Sequence, residues 1–339
     1  MDTTTIGVDL AKHVFQLSLA GESGHIVDRR RLSRRHFQQF LAEHPKADVV
    51  MEACATAHHW ARSAEAHGHT VRLLHPKYVR PYVRRSKTDA ADADALVRAS
   101  KDPDLHPVPV KSVDQQALQG LHRIRSQWID TRRQRISLVR ALLAEFGVHL
   151  PAGATAIVSK LRQAAEVAPT LLADSLNTVI DEIAELEARI AQIERQLKQI
   201  ARENETIQRL LTIPGVGVIT ATAMVGSVPN IHAFHRARKF SAWLGLTPRE
   251  YSSGQTRRLG SISKQGDRYL RMLLVHGARS ALLTAHRQAR KGDEHLTPLQ
   301  RWVLDVERRT NHNKATVALA NKMARILWCV WTREEDYRA

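Results

Sequence analysis

In the stretch RRSKTDAADADALVRA, residues 84–99, three aspartates (Asp89, Asp92 and Asp94) fall within about two helical turns of an otherwise basic segment. Carboxylates so close repel one another, and helix propensity gives no reason for them. Two further acids end apolar strand patterns: Asp9 closes IGVD and Glu52 closes VVME. Acids in those positions fall at the edge of a sheet, because an unpaired charge in its middle would be very costly. On a helix starting after Lys87, Asp89 and Asp92 share one face, whereas Asp94 is turned some ~200° from Asp92 and is expected on a solvated side.

Four carboxylates converging from two strands and a helix need compensation. One or two divalent cations with oxygen ligands, Mg²⁺ or Mn²⁺, supply it. Two such ions about 4 Å apart activate an attacking oxygen and steady a leaving oxygen at a phosphodiester. The neighbouring Arg84, Arg85 and Lys87 would hold the phosphate. Taken singly, each acid also fits a cap or a surface charge; Asp89 suits the first turn of its own helix.

The rest of the composition agrees with a polyanionic substrate. The 339 residues carry a net charge of +17, with Arg and Lys spread along the whole chain. A folded protein with that field attracts nucleic acid. Aromatic residues make up only 5%, which favours reading of backbone and shape over base stacking. Cys54 and Cys329 form no CxxC pair, which points to a reducing compartment and away from a zinc ribbon. No amino-terminal signal pattern is visible, and no apolar run approaches the ~20 residues that cross a bilayer, so a cytoplasmic protein is expected.

The elements that must position the acids follow from periodicity. TTIGVDLA, HVFQLSLA and HIVDRRRL suggest an antiparallel meander, followed by helix, strand, helix and strand through TVRLLHP. This describes a mixed sheet with helices on its faces. From Ser112 to Val148 the pattern is helical and rich in Arg, and LPAGA marks a break. Leu172, Leu176, Val179, Ile183, Leu186, Ile190, Ile193, Leu197 and Ile200 form a heptad seam, expected to join copies of the chain into a dimer or tetramer as a coiled coil. LLTIPGVGVITATAMVG then reads as a helix-hairpin-helix whose Gly215 and Gly217 expose backbone N–H groups to a phosphate. Further helical patterns complete a mainly α region. The expected domains are 1–150, 151–205 (linker and coiled coil) and 206–339.

Several long motifs carry a resemblance over nearly the whole chain: IGVDLAKHVFQL, MEACATAHHWAR, PKYVRPYVRRSKTDAADADAL, VKSVDQQALQGLHRIR, IPGVGVITATA, FSAWLGLTPREYSSGQTRRLGSISKQGDRYLR and LVHGARSAL. In order and content they resemble the DEDD transposases of the insertion-sequence 110 family, 1111 subgroup. The resemblance implies an RNase H-like, RuvC-like amino-terminal domain (α/β), a long coiled-coil helix and a mainly α carboxy-terminal transposase domain. Its four acids fall on Asp9, Glu52, Asp89 and Asp92. It also implies a serine nucleophile before a glycine after LTPR, which is Ser253 here, with Ser252 beside it. By its residues alone, Ser-Ser-Gly is a turn. With the resemblance, Arg249, Arg257, Arg258 and Lys264 become phosphate clamps.

The family resemblance further implies a bacterial recombinase, nucleoid-associated when active, that is guided by a structured non-coding bridge RNA pairing with donor and target DNA. Such enzymes work as homo-oligomers, with the acids of one subunit meeting the serine of another. One departure stands out: Ala55 occupies a position where the family commonly has glycine. His58 and His59 suit packing or phosphate contacts better than a metal, since adjacent helical residues point in different directions. The competing readings are a RuvC-like, metal-dependent junction nuclease without a serine intermediate, and a non-catalytic nucleic-acid scaffold, which would have no need of repelling carboxylates. An actin-like ATPase would want a phosphate-binding glycine pair that the sequence lacks.

Overall fold

A computed structural model describes residues 4–84, 88–150 and 157–338. The chain forms two compact units, Met1–Ser112 and Val113–Ala339. The first contains β1 (Thr5–Leu10), β2 (Val14–Ala20), β3 (Ile26–Ser33), α1 (Arg34–Glu43), β4 (Asp48–Glu52), α2 (Ala57–Ala66), β5 (Thr70–Leu74), α3 (Pro76–Val79) and α4 (Asp89–Ala99). Its five strands lie in the order β3-β2-β1-β4-β5. The meander β1–β3 is antiparallel, and β4 and β5 run parallel to β1 after helical crossovers. This mixed α/β sheet is consistent with the RNase H-like domain implied by the sequence motifs.

Strand alternation sorts the side chains into two layers. Ile6, Val8, Leu17, Val49 and Met51 face α1 and α2, where Phe15, Phe37 and Trp60 meet edge-on with ring centroids 5.1 Å apart. Each such buried ring contributes roughly 2 to 3 kcal/mol. The other face carries Val50 and Leu74 under Ala95, Leu96 and Ala99 of α4. Gly7 lets α4 sit directly on β1: a Cβ there would lie 2.4 Å from the Ala93 carbonyl oxygen.

The second unit holds α5 (Val113–Glu145), α6 (Ile157–Ala165), α7 (Thr170–Glu203), α8 (Glu205–Leu211), α9 (Val218–Ser227), α10 (Ala237–Trp243), β6 (Pro248–Glu250), β7 (Leu259–Ile262), α11 (Arg268–Ala289), α12 (Pro298–Arg308) and α13 (His312–Arg333). The unit boundary falls at Ser112 rather than near residue 150, because α5 packs on α7 and α9. Seam residues Leu176, Ile183, Ile190, Ile193 and Leu197 are buried, some beside Leu118, Ile136, Val139 and Leu143 of α5. Ion pairs Arg125–Glu194 (2.7 Å), Arg132–Glu187 (3.6 Å) and Arg135–Glu182 (2.7 Å) run in opposite sequence directions, so the two helices are antiparallel. The apolar seam expected to meet a second copy is thus covered by this chain's own helices.

A polar network lies inside this unit. The His122 ring bridges α5 to α11 and α9, with Nδ1 3.1 Å from the Tyr269 hydroxyl and Nε2 3.0 Å from Thr222 Oγ1. Thr222 Oγ1 donates to the Val218 carbonyl at 2.6 Å, so it accepts from His122 Nε2–H, and the neutral ring accepts the tyrosine proton at Nδ1. Burial, and secondarily the charge of Arg125, pushes the His122 pKa down to about 4.

Candidate active site

The sheet carries Asp9 and Glu52 to one place. The pairing of β1 with β4 runs to Val8↔Met51, and Asp9 and Glu52 are the next residue on each parallel strand. Alternation puts Asp9 on the face of Gly7 and Glu52 on the face of Val50, the face that α4 covers. The α4 helix runs antiparallel to β1: just past its end, Lys101 Nζ donates to the Glu22 carbonyl (3.4 Å), beyond the β2 terminus that pairs with the start of β1. The first turn of α4, with Asp89 and Asp92, therefore points toward the strand ends bearing Asp9 and Glu52. Thr88 Oγ1 caps that turn by accepting from Ala91 N at 3.2 Å.

Asp89 is exposed, while Asp9, Glu52 and Asp92 are half-buried. The four carboxylates share one end of one face without closing on a point. Among the described residues, the one group of three or more His, Cys, Asp or Glu with ligand atoms all within 4.8 Å of one another is His286, Glu307 and His312, in the second unit. An all-oxygen donor set of this kind fits a hard divalent ion, as a DEDD transposase implies. The Cys54 thiol registers the local field, since burial first, then Glu52 and Asp9, push its pKa up. Next to it, Thr56 adopts a left-handed backbone (φ 70°), one residue after Ala55, a conformation strained for a β-branched side chain.

Asp94 corrects the sequence expectation. It is buried, with 8% exposure, rather than solvated. Its carboxylate accepts from Ser18 Oγ (2.6 Å) and from Arg29 Nε (3.2 Å) and Nη2 (2.9 Å), and it pairs with Arg98 at 3.5 Å. Burial alone would raise its pKa, but the hydrogen bonds from Arg29 and Ser18, with the charges of Arg29 and Arg98, hold it below the usual carboxylate range. The network ties α4 to β2 and β3, and so fixes the helix that presents Asp89 and Asp92. The sequence signal was the third acid of TDAADADA combined with the Arg29–Arg31 run on an edge strand.

The basic residues divide. Arg84 is exposed beyond α3, whereas Arg85 and Lys87 lie outside the described residues. His58 accepts at Nδ1 from Lys111 N (3.2 Å), and burial, then Lys111 and Arg62, push its pKa down to about 4. His59 packs edge-on against Trp60. Both histidines are used in packing.

Ser253 sits at the tip of the antiparallel hairpin β6–β7. Ser253 and Thr256 exchange backbone hydrogen bonds (3.2 and 3.1 Å) around Gly254, whose positive φ of 56° suits the first central position of a tight hairpin turn. Ser252 Oγ is occupied, donating to Glu250 Oε1 (2.7 Å) and accepting from Arg258 N (3.2 Å). The Ser253 hydroxyl is exposed and has no hydrogen-bond partner among the described residues. Arg257 pairs with Glu250 at 3.4 Å, and Arg249 donates to the Ser263 carbonyl at 3.2 Å. Arg249, Arg257, Arg258 and Lys264 are all exposed around the hairpin.

The two glycines of the IPGVG turn have different roles. Gly215 (φ 84°) packs backbone-to-backbone with Gly277 of α11, and a Cβ there would meet the Gly277 carbonyl oxygen at 2.6 Å. Gly217 is exposed at the open N-terminus of α9, with no atom within 4 Å of where a Cβ would stand. Gly217 thus stands exposed at the N-terminus of α9, while Gly215 holds the turn against α11.

Comparison with known proteins agrees with this architecture. A family model described as "Transposase IS116/IS110/IS902 family" matches residues 207–293, and a model described as "Transposase", bearing the DEDD label of the IS110 group, matches residues 6–147. The chain is 43% identical to a probable family 20 transposase of Pseudomonas aeruginosa, over 100% of this chain and 99% of that protein. It is 39% identical to the transposase for insertion sequence element IS1111A of Coxiella burnetii (99% and 92% covered), and 38% identical to the IS1328 transposase of Yersinia enterocolitica (98% and 98%). With the sheet, the acids and the second unit all spanned by these matches, the chain belongs to the IS116/IS110/IS902 family of transposases, enzymes that transpose DNA.

Proposed function

We propose that this transposase moves an insertion sequence by serine attack on DNA phosphodiesters, guided by a structured bridge RNA that pairs with donor and target DNA. The observation that carries the reading is the placement of Asp9, Glu52, Asp89 and Asp92 toward one end of one sheet face, with α4 locked above it by Asp94. Mg²⁺ or Mn²⁺ held by those carboxylates would ease loss of the attacking proton and steady the leaving oxygen. The chain's own groups do the rest. The Ser253 hydroxyl gives up its proton as an Oγ–P bond forms, a DNA P–O bond breaks, and the departing sugar oxygen takes up a proton. Arg249, Arg257, Arg258 and Lys264 clamp the flanking phosphates, and Arg84, Arg85, Lys87 and the Gly217 turn add backbone contacts.

The acids lie in the first compact unit and Ser253 in the second, which agrees with a homo-oligomer whose subunits share sites. The net charge of +17 serves RNA and DNA backbones alike, and no helix among the described residues is long and apolar enough to cross a membrane, in keeping with a cytoplasmic, nucleoid-bound enzyme. The same acids would also serve a junction nuclease in which water attacks instead of Ser253. The test of the acid site is Asp89→Ala and Asp92→Ala, each assayed for DNA strand cleavage and for RNA binding. Cleavage should be abolished with RNA binding intact; cleavage at the wild-type rate would remove these residues from the site.

A further inference from the structure

Three helices of the second unit bring two imidazoles and a carboxylate together. His286 lies in the last turn of α11, Glu307 near the end of α12, and His312 is the first residue of α13. His286 Nε2 stands 2.8 Å from Glu307 Oε2, and His312 Nδ1 stands 2.9 Å from Glu307 Oε1. The three ligand atoms lie within 4.8 Å of one another.

These positions are held from below and along the backbone. Leu282 and Ala285 of α11, Val303 and Val306 of α12, and Ala315 and Leu319 of α13 are buried in one core beneath the helices. The link between α12 and α13 is pinned by Thr310 Oγ1, which donates to the Val306 carbonyl (2.6 Å), and by Asn311 Oδ1, which caps α13 through Lys314 N (2.9 Å). The triad is therefore presented by rigid elements. The Glu307 side chain keeps 18% of its exposure and the imidazoles 43% and 44%, so the carboxylate is recessed between two rings that open to solvent.

We infer that His286, Glu307 and His312 form a zinc site that staples α11, α12 and α13 in the second unit. Two imidazole nitrogens with one carboxylate oxygen are the donor set of three-ligand zinc centres, with a fourth position left for water. Ligands about 2.0 to 2.1 Å from a tetrahedral ion stand about 3.3 Å apart, so the rings need to open only slightly from their contacts with Glu307. Nitrogen donors separate this site from the all-oxygen acids of the first unit, which suit Mg²⁺. Because the three ligands belong to three helices, binding here adds to the stability of the fold.

The experiment uses tag-free, full-length protein, stripped of metal and kept in excess Mg²⁺ to fill oxygen-ligand sites, then titrated with Co²⁺ and separately with Zn²⁺. One equivalent of Co²⁺ should give the strong visible bands of a low-coordinate, nitrogen-bound ion; Zn²⁺ should displace it and raise the melting temperature. The bands and the Zn²⁺-dependent rise should both be lost in His286→Ala and in His312→Ala, with His286→Gln and His312→Gln as substitutes if an alanine variant lacks the wild-type circular dichroism. The same Co²⁺ spectrum and stoichiometry in the variants, or no binding by the wild type, would overturn the assignment.

Discussion

At the scale of single residues, Asp94 decides how the candidate site is held. Removing its carboxylate leaves Arg29, Arg98 and the Ser18 hydroxyl without their shared partner at a covered sheet face. Asp94→Ala should cost about 2 kcal/mol, seen as a lower urea midpoint, and should slow cleavage as the first turn of α4 loosens. An unchanged midpoint and rate would show that α4 docks without it. His122 sets a second expectation, for pH. Its folded pKa is about 4 against an ordinary 6.5, so as pH falls below 6.5 the unfolded chain takes up a proton that the folded one refuses. His122 should therefore contribute a drop in stability between pH 6.5 and 4 of on the order of 3 kcal/mol, in the same window as His58, whose pKa is also lowered to about 4. His122→Asn should flatten that part of the urea-midpoint profile; an equally steep fall in the variant would assign it to other groups.

At the scale of elements, close backbone packing and periodicity had different legibility. The IPGVG turn announced a reversal between helices, but not that Gly215 is pressed against Gly277 sixty-odd residues away, because that contact is made only on folding. A Cβ on Gly277 would lie 2.1 Å from the Gly215 carbonyl oxygen. Gly277→Ala should force the turn off α11 and lower stability by roughly 1 to 3 kcal/mol, measured by thermal melting; a wild-type melt would mean the turn relaxes freely. Strands β1, β2 and β4 of the first unit were readable because they are short apolar runs, and their consecutive buried residues lie under helices on both faces of the sheet. The hairpin β6–β7 was not, since its strands are only three and four residues long and nearly all exposed, with no alternation to betray them. The heptad seam of α7 revealed a buried stripe but not what covers it. The same stripe is satisfied by a second copy or by α5, and the Arg-rich spacing of α5 hid its apolar side.

At the scale of the whole molecule, the proposed acid set follows from spacing and strand ends as well as from the family motifs, while the proposal of Ser253 rests on the family motifs alone. Its surroundings explain why: an exposed hydroxyl on a hairpin tip has no periodicity, burial or partner to distinguish it from an ordinary turn. Acids in one compact unit and serine in the other make the covalent step the central claim, since only that step requires both. The measurement that tests it most directly mixes the full chain with its element's flanking RNA, donor and target DNA and Mg²⁺, quenches in denaturant, and resolves the products beside Ser253→Ala. The account predicts a denaturant-resistant protein–DNA adduct that vanishes in the variant. Cleaved DNA without an adduct, in equal yield from the variant, would contradict it and leave the acids acting with water alone.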